Sequence, residues 1–341
     1  MSTLSQAPAG LPRTAGREMT FGQAIREALT EEMRRDPRVF IIGEDVAEAG
    51  TVFKVLSGLV EEFGRERVID SPISEAGITG IGVGAAMTGM RPVVDIMFGD
   101  FITLAMDQIV NQAAKVHYMS GGKLRVPLVI RTTMGATRRS AAQHSQSLYA
   151  WVAHIPGLKV VLPSTPADAK GLLKSAIRDD NPVVFFEDKM MYQLKGPVPD
   201  GEYTIPFGVA DVKRVGTDVT IVATSSMVHV ALEAAARLDA SEISAEVVDP
   251  RTLRPLDTET LVASARKTGR VIVVDEGYQQ YGVTAEIAAV IAEAAFDALD
   301  APVQRVGAMN VPVPFSPVLE DQTVPTAEGV ATIARRLCGR A

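Results

Sequence analysis

Short, unbroken apolar runs rich in β-branched residues alternate with amphipathic stretches along almost the whole chain. Val39–Gly43, Arg67–Asp70, Pro92–Met97, Val126–Arg131, Lys159–Leu162 and Pro182–Glu187 read as strands in the first half. The pattern resumes with strands at Val219–Thr224, Ala245–Val248, Arg270–Asp275 and Val303–Val306. Helices are predicted between them at Met227–Leu238, Asp257–Lys267 and Val283–Leu299. A strand apolar at every position is buried on both faces, which implies parallel sheets covered by helices. The fold class is therefore α/β, with two domains, each a mostly parallel sheet with helices on both faces.

Local signals fix several boundaries. Thr20 followed by Gln23 forms a capping box that opens a helix to Arg35. Thr165-Pro166 opens another, which stops before Asn181-Pro182. Asp100–Met119 reads as one long helix, and Ile78–Met90 as a buried one. Residues 191–207 are rich in Pro and Gly and lack periodicity, so they read as a linker. The predicted organisation is a disordered tail at 1–18, a first domain at 19–190 and a second at 208–341. Val311–Val324 reads as an irregular crossing of the surface.

Composition excludes several functions. The 341 residues carry 34 basic and 41 acidic side chains, a net charge of −7. Without a basic field, binding to nucleic acid or to an anionic membrane is not expected. The single cysteine, Cys338, allows no intrachain disulfide and fits a reducing, cytoplasmic location. No stretch reaches the roughly 20 apolar residues that span a bilayer.

Three motifs invite a chemical reading. Gly80, Gly82 and Ala85 match G-x-G-x-x-A, the dinucleotide fingerprint of a nicotinamide-dependent dehydrogenase. The fingerprint needs its glycines in the turn just after a strand, whereas these fall inside a helix and read as small residues for close helix–helix packing. Ser71-Pro72-Ile73-Ser74-Glu75 follows a strand end, where ligands bind in open parallel sheets. Glu75 is either a working carboxyl or a simple first-turn acid favouring the helix dipole. His144, within Gln143-His144-Ser145-Gln146, has neighbours able to fix its tautomer. His117, His154 and His229 read as structural.

These residues sit in longer blocks that carry a resemblance. They are GED at 43–45, RVIDSPISEAGITGIGVGAAMTGMRPV, MDQIVNQAAKVHYMSGG, AAQHSQSLYAW, HIPGLKVVLPSTPADAKGLLKSAIRDDNPVVFFE, VVDPRTLRPLD and the DEG of 275–277. In this order they resemble the beta subunit of the decarboxylating component of 2-oxo acid dehydrogenase complexes, in the transketolase-like thiamine-diphosphate family. The resemblance implies a pyrimidine-binding domain followed by a transketolase C-terminal-like domain. It implies that Glu75 hydrogen-bonds the cofactor's aminopyrimidine and promotes loss of the thiazolium proton. Phe101 matches an aromatic packed against the pyrimidine, with Ile73 and Met97 as apolar neighbours. His144 matches a histidine that moves protons near the substrate and the lipoyl group.

The resemblance also implies potassium at residues matching Leu128, Ala176, Ile177, Asp179 and Asn181. Thiamine-diphosphate enzymes hold Mg²⁺ and the diphosphate with G-D-G followed by N-N, and this chain has neither: Gly99-Asp100 is followed by Phe101. An alpha subunit is then expected to supply that half, in an α₂β₂ heterotetramer docked on a lipoyl-bearing dihydrolipoyl acyltransferase. Pyruvate, branched-chain 2-oxo acids and acetoin are the candidate substrates. A non-catalytic docking subunit is the alternative, and retention of both Glu75 and His144 favours the enzyme.

Overall fold

The computed structural model describes residues 16–340. Strand β1 (Arg17–Thr20) leads into helix α1 (Phe21–Arg35). There the Gln23 amide donates to the Thr20 hydroxyl at 3.1 Å, and the Thr20 amide donates to the Gln23 side chain at 2.8 Å. The pair satisfies two donors that a helix start leaves free. Next come β2 (Val39–Gly43), α2 (Leu59–Phe63), β3 (Val68–Asp70), α3 (Glu75–Met87) and β4 (Arg91–Ile96). They are followed by α4 (Ala114–Met119), β5 (Val129–Met134), α5 (Tyr149–Ala153), β6 (Lys159–Val161), α6 (Pro166–Arg178), β7 (Val183–Asp188) and β8 (Lys195–Val198).

The second half begins with β9 (Asp211–Arg214), β10 (Val219–Ala223), α7 (Met227–Asp239), β11 (Ala245–Asp249) and β12 (Thr252–Arg254). It ends with α8 (Thr258–Thr268), β13 (Val271–Tyr278), α9 (Val283–Ala295), β14 (Gln304–Ala308), α10 (Pro317–Glu320) and α11 (Ala327–Leu337).

Two large sheets result. One has seven strands in the order β12-β6-β7-β5-β4-β2-β3, and the other five in the order β14-β13-β10-β11-β9. All neighbours are parallel except β12 and β9 at the edges. Alternate residues of each strand feed opposite cores. Val183 and Phe185 pack with α1 and α6, whereas Val184 and Phe186 pack with α3 and the segment after β4. In the smaller sheet Ile272 and Val274 face α7 and α11, and Val271 and Val273 face α8 and α9. Covering on both faces is what the unbroken apolar runs require.

The structure corrects several expectations. Asp100–Met119 is not one regular helix: Gly99–Ala105 is a 3₁₀ segment, Asp107–Ala113 a π segment, and only Ala114–Met119 is α-helical. Ile102, Ala105, Ile109 and Ala113 are all buried, so the apolar pattern predicts the buried face but not the pitch. Residues 191–207, expected to be linker, contain β8, which pairs antiparallel with β1. Arg17 and Glu18, expected in the tail, lie in that ribbon, and positions 1–15 fall outside the described residues. Gly82 serves helix–sheet rather than helix–helix packing, since a Cβ there would stand 2.5 Å from Val94 Cγ2 of β4. Strand β12 also crosses over from the second half of the chain to edge the first sheet.

Candidate active site

In the larger sheet the parallel strands end together, and the loops leaving them share one edge. Glu44 follows β2, Glu75 lies beyond β3, Met97 to Phe101 follow β4, the loop to His144 leaves β5, and Lys189 follows β7. The carboxyl edge of an open parallel sheet is where such folds bind ligands.

Glu75 is the first residue of α3 and is buried. The preceding Ser74 caps the helix, its hydroxyl accepting from the Gly77 amide at 3.2 Å. Glu44 stands close by: burial, and then the charge of Glu75, push its carboxyl above the ordinary range. One Glu44 oxygen, Oε1, is buried with no partner among the described residues. The unpartnered Glu44 oxygen thus favours an incoming hydrogen-bond donor beside Glu75.

The His144 ring meets two phenylalanines edge-on, with centroids 4.7 Å from Phe98 and 5.2 Å from Phe101. The Lys189 ammonium lies 5.8 Å from the Phe98 ring and donates to the His144 carbonyl. Burial pulls Lys189 below the ordinary lysine range, against the raising effect of Asp100, Asp188 and Glu276. Asp100 accepts from the Gln146 side chain at 2.9 Å, so the acid after Gly99 braces the histidine loop. Met97 is half-buried and lines a shallow cleft with Phe53, Asp95, Arg131 and Thr132. Ile73 is 82% exposed.

His144 and Phe101 are therefore in contact, Met97 adjoins Phe98, and Ile73 lies on the surface beside Glu75. Glu44, Phe98, Asp100 and Lys189 escape the sequence reading. Their common signal is position, since each comes within four residues after an apolar strand. The remaining histidines sit elsewhere: His117 Nδ1 is 2.8 Å from the Leu124 carbonyl, and His229 Nε2 is 2.7 Å from the Ser164 carbonyl. Gly80, Gly82 and Ala85 all lie inside α3, away from any strand-to-helix turn.

The chain matches the transketolase pyrimidine-binding domain over residues 17–195 and the transketolase C-terminal domain over residues 208–330. It is 52% identical to the beta subunit of acetoin:2,6-dichlorophenolindophenol oxidoreductase of Bacillus subtilis, covering 95% of this chain and 98% of that protein. The chain belongs to the E1 beta-subunit family of pyruvate and acetoin dehydrogenases. A mitochondrial pyruvate dehydrogenase E1 beta subunit of Oryza sativa is 48% identical, covering 96% of this chain and 88% of that protein. A solved split-gene transketolase, described as an inactive beta4 tetramer, superposes with a TM-score of 0.77 at 25% identity, covering 94% and 98% of the two chains.

Two ligands expected from the resemblance, thiamine diphosphate and potassium, can be set against these residues. For the pyrimidine half of thiamine diphosphate, the unpartnered oxygen of Glu44 beside Glu75 and the ring of Phe101 are suitable polar and apolar partners. The potassium residues are more constrained. The Arg91 guanidinium donates to the carbonyls of Ile177 and Asp179 at 2.8 and 2.9 Å. The Leu128 carbonyl accepts from the Val183 amide, and the Ala176 carbonyl from the Asp179 amide. Each carbonyl keeps a second lone pair for an ion, but Arg91 brings a full positive charge to the same ring. Among the described residues no helix is long and apolar enough to cross a membrane.

Proposed function

We propose that this chain supplies the pyrimidine-binding half of a thiamine-diphosphate active site, completed by an alpha subunit in an α₂β₂ heterotetramer. The assembly cleaves a carbon–carbon bond in acetoin or in a 2-oxo acid, pyruvate or branched-chain. It passes the acyl group to the lipoyl domain of a dihydrolipoyl acyltransferase. The observation that carries this reading is the placement of Glu75 near Glu44, and of Phe101 against His144, on loops along one carboxyl edge.

Thiamine diphosphate, when bound, supplies an electron sink for the carbanion left by bond cleavage. Glu75 would hold and pass a proton at a ring nitrogen of the aminopyrimidine, and Phe101, Met97 and Ile73 would supply apolar contacts to the ring. His144, held from Lys189 and between two aromatic edges, moves a proton near the substrate carbonyl. Mg²⁺ and the diphosphate fall to the alpha subunit, since no G-D-G followed by N-N occurs here. Potassium would share its carbonyls with Arg91, and a potassium-selective rise in Tm over sodium checks that assignment. The single cysteine supports a cytoplasmic location.

The test is reconstitution with a partner chain bearing G-D-G and N-N, followed by turnover assays on pyruvate, acetoin and branched-chain 2-oxo acids. Turnover of at least one is expected only when both chains are present. Calorimetry should find weak thiamine-diphosphate binding by this chain alone. Tight, Mg²⁺-dependent binding by the isolated chain, or no turnover of any of the three, would overturn the proposal.

A further inference from the structure

The loop between β5 and His144 is backbone that the chain would not adopt unaided. Gly135, Thr137, Arg139 and Ala141 have φ of +99, +66, +59 and +59°, alternating with ordinary residues. Three of these are not glycine, and a left-handed backbone is strained for each of them, so the surroundings must impose the shape.

Most of that constraint comes from the second half of the chain. Glu320, at the end of α10, is fully buried. Its carboxylate accepts from the Thr137 amide at 2.8 Å, the Arg139 amide at 3.1 Å and the Arg139 guanidinium at 2.7 Å. Asp321 takes the same guanidinium at 2.6 Å. Glu276, at the end of the second sheet's β13, accepts from the Ala136 amide at 2.7 Å. Glu276 and Asp188 close around Gly135, where a Cβ would stand 2.9 Å from one carboxylate and 3.1 Å from the other.

We propose that Glu320 is a positioning residue for His144: by holding Thr137 and Arg139 left-handed, it sets the loop that presents the imidazole to Phe98 and Phe101. The inference rests on the reading of His144 as a proton-moving group. It gives the C-terminal half of the chain a part in the chemistry, although none of its side chains need touch the substrate. Burial makes the clamp effective, since a carboxylate shielded from water exchanges its partners reluctantly.

The variant to make is Glu320→Gln, which keeps the shape but loses the charge and one acceptor. Amide hydrogen exchange over 136–139 should quicken in the purified chain while core strands stay protected. In the reconstituted α₂β₂ enzyme, kcat for acyl transfer should fall roughly 10- to 100-fold, the scale of misplacing a working group by about 1 Å. Deuterium exchange at the thiazolium carbon, which depends on Glu75, should stay near parental. The decisive readout is the double variant with His144→Ala, which should be no slower than His144→Ala alone. Parental loop exchange in Glu320→Gln, or losses that multiply in the double variant, would overturn the proposal while leaving the reading of His144 intact. Parental turnover in His144→Ala would remove that reading, and this proposal with it. Where Glu320→Gln does not fold, Arg139→Ala, whose side chain is 35% exposed, removes the guanidinium half of the clamp and is read in the same way.

Discussion

The Tyr149 hydroxyl donates to the Asp275 carboxylate at 2.6 Å, joining the helix after the His144 loop to the end of the second sheet's β13. Both residues are buried, and burial pushes the Asp275 carboxyl above its ordinary range despite donors from Thr224, Tyr149 and Gly277. Tyr149→Phe keeps the ring and removes one donor. A loss of about 1–3 kcal/mol in urea unfolding is expected, the cost of under-satisfying a buried polar group. Because the folded Asp275 titrates above its unfolded value, its contribution is full in acid and fades as pH rises through the folded value. The deficit of Tyr149→Phe should therefore widen as pH rises and the carboxyl ionises. Equal stability of the two proteins by urea melts at pH 7 would contradict it.

Glu75→Gln preserves the shape of the side chain but cannot take up or release the proton. Deuterium exchange at the thiazolium carbon in the reconstituted enzyme should slow by roughly 10²–10⁴, the usual loss for a positioned acid–base group. Cofactor affinity should change little, because the diphosphate is held by the partner. Quenched NMR measures the exchange, and a parental rate would reduce Glu75 to a helix-start acid.

Arg131 is buried below the cleft, paired with Asp95 and with Glu187 at 2.7 Å. Tyr192 donates to the same Glu187 at 2.8 Å. Arg131→Met would leave two carboxylates facing each other without a cation, at a cost of about 3–5 kcal/mol. Thermal unfolding should show a large drop in Tm. The triple variant Arg131→Met, Asp95→Asn, Glu187→Gln should recover part of it, since the uncompensated charge is then gone.

Acid should unfold the protein partly through Asp168. Burial raises its carboxyl, but Lys213 and Arg251 more than offset this and hold it down at about 2. Its neighbour Asp249 is raised by burial and by Asp168, so it keeps its proton longer. A folded pKa below the unfolded value of about 3.9 stabilises the protein at higher pH, by about 2 kcal/mol, and the gain disappears as pH falls from about 4 to 2. Lys213→Met removes the nearest cation, 2.7 Å away, and should move the acid-unfolding midpoint to higher pH in circular dichroism. An unchanged midpoint would mean that Arg251 alone sets the ionisation.

The sequence by itself determined the α/β class, the parallel sheets and most strand and helix positions. A run such as Val183–Phe186, apolar on both faces, has few other stable placements. Caps such as Thr20 and Thr165 were legible for the same reason, since the partner lies three residues away. Glu75 stood out as a carboxyl opening a small-residue helix after a strand end, and His144 because polar neighbours Gln143, Ser145 and Gln146 can fix its tautomer. Tertiary structure alone decided the pairing of β1 with β8, the passage of β12 to the first sheet, and the split of Gly99–Met119 into three helical pitches. It also decided that Phe98 and Lys189 fix His144, and that Glu320 reaches a loop 183 residues before it in the chain. Periodicity records only which face of a segment avoids water. Which distant segment covers that face, and which buried carboxylate finds which amide, depends on the packing of the whole chain.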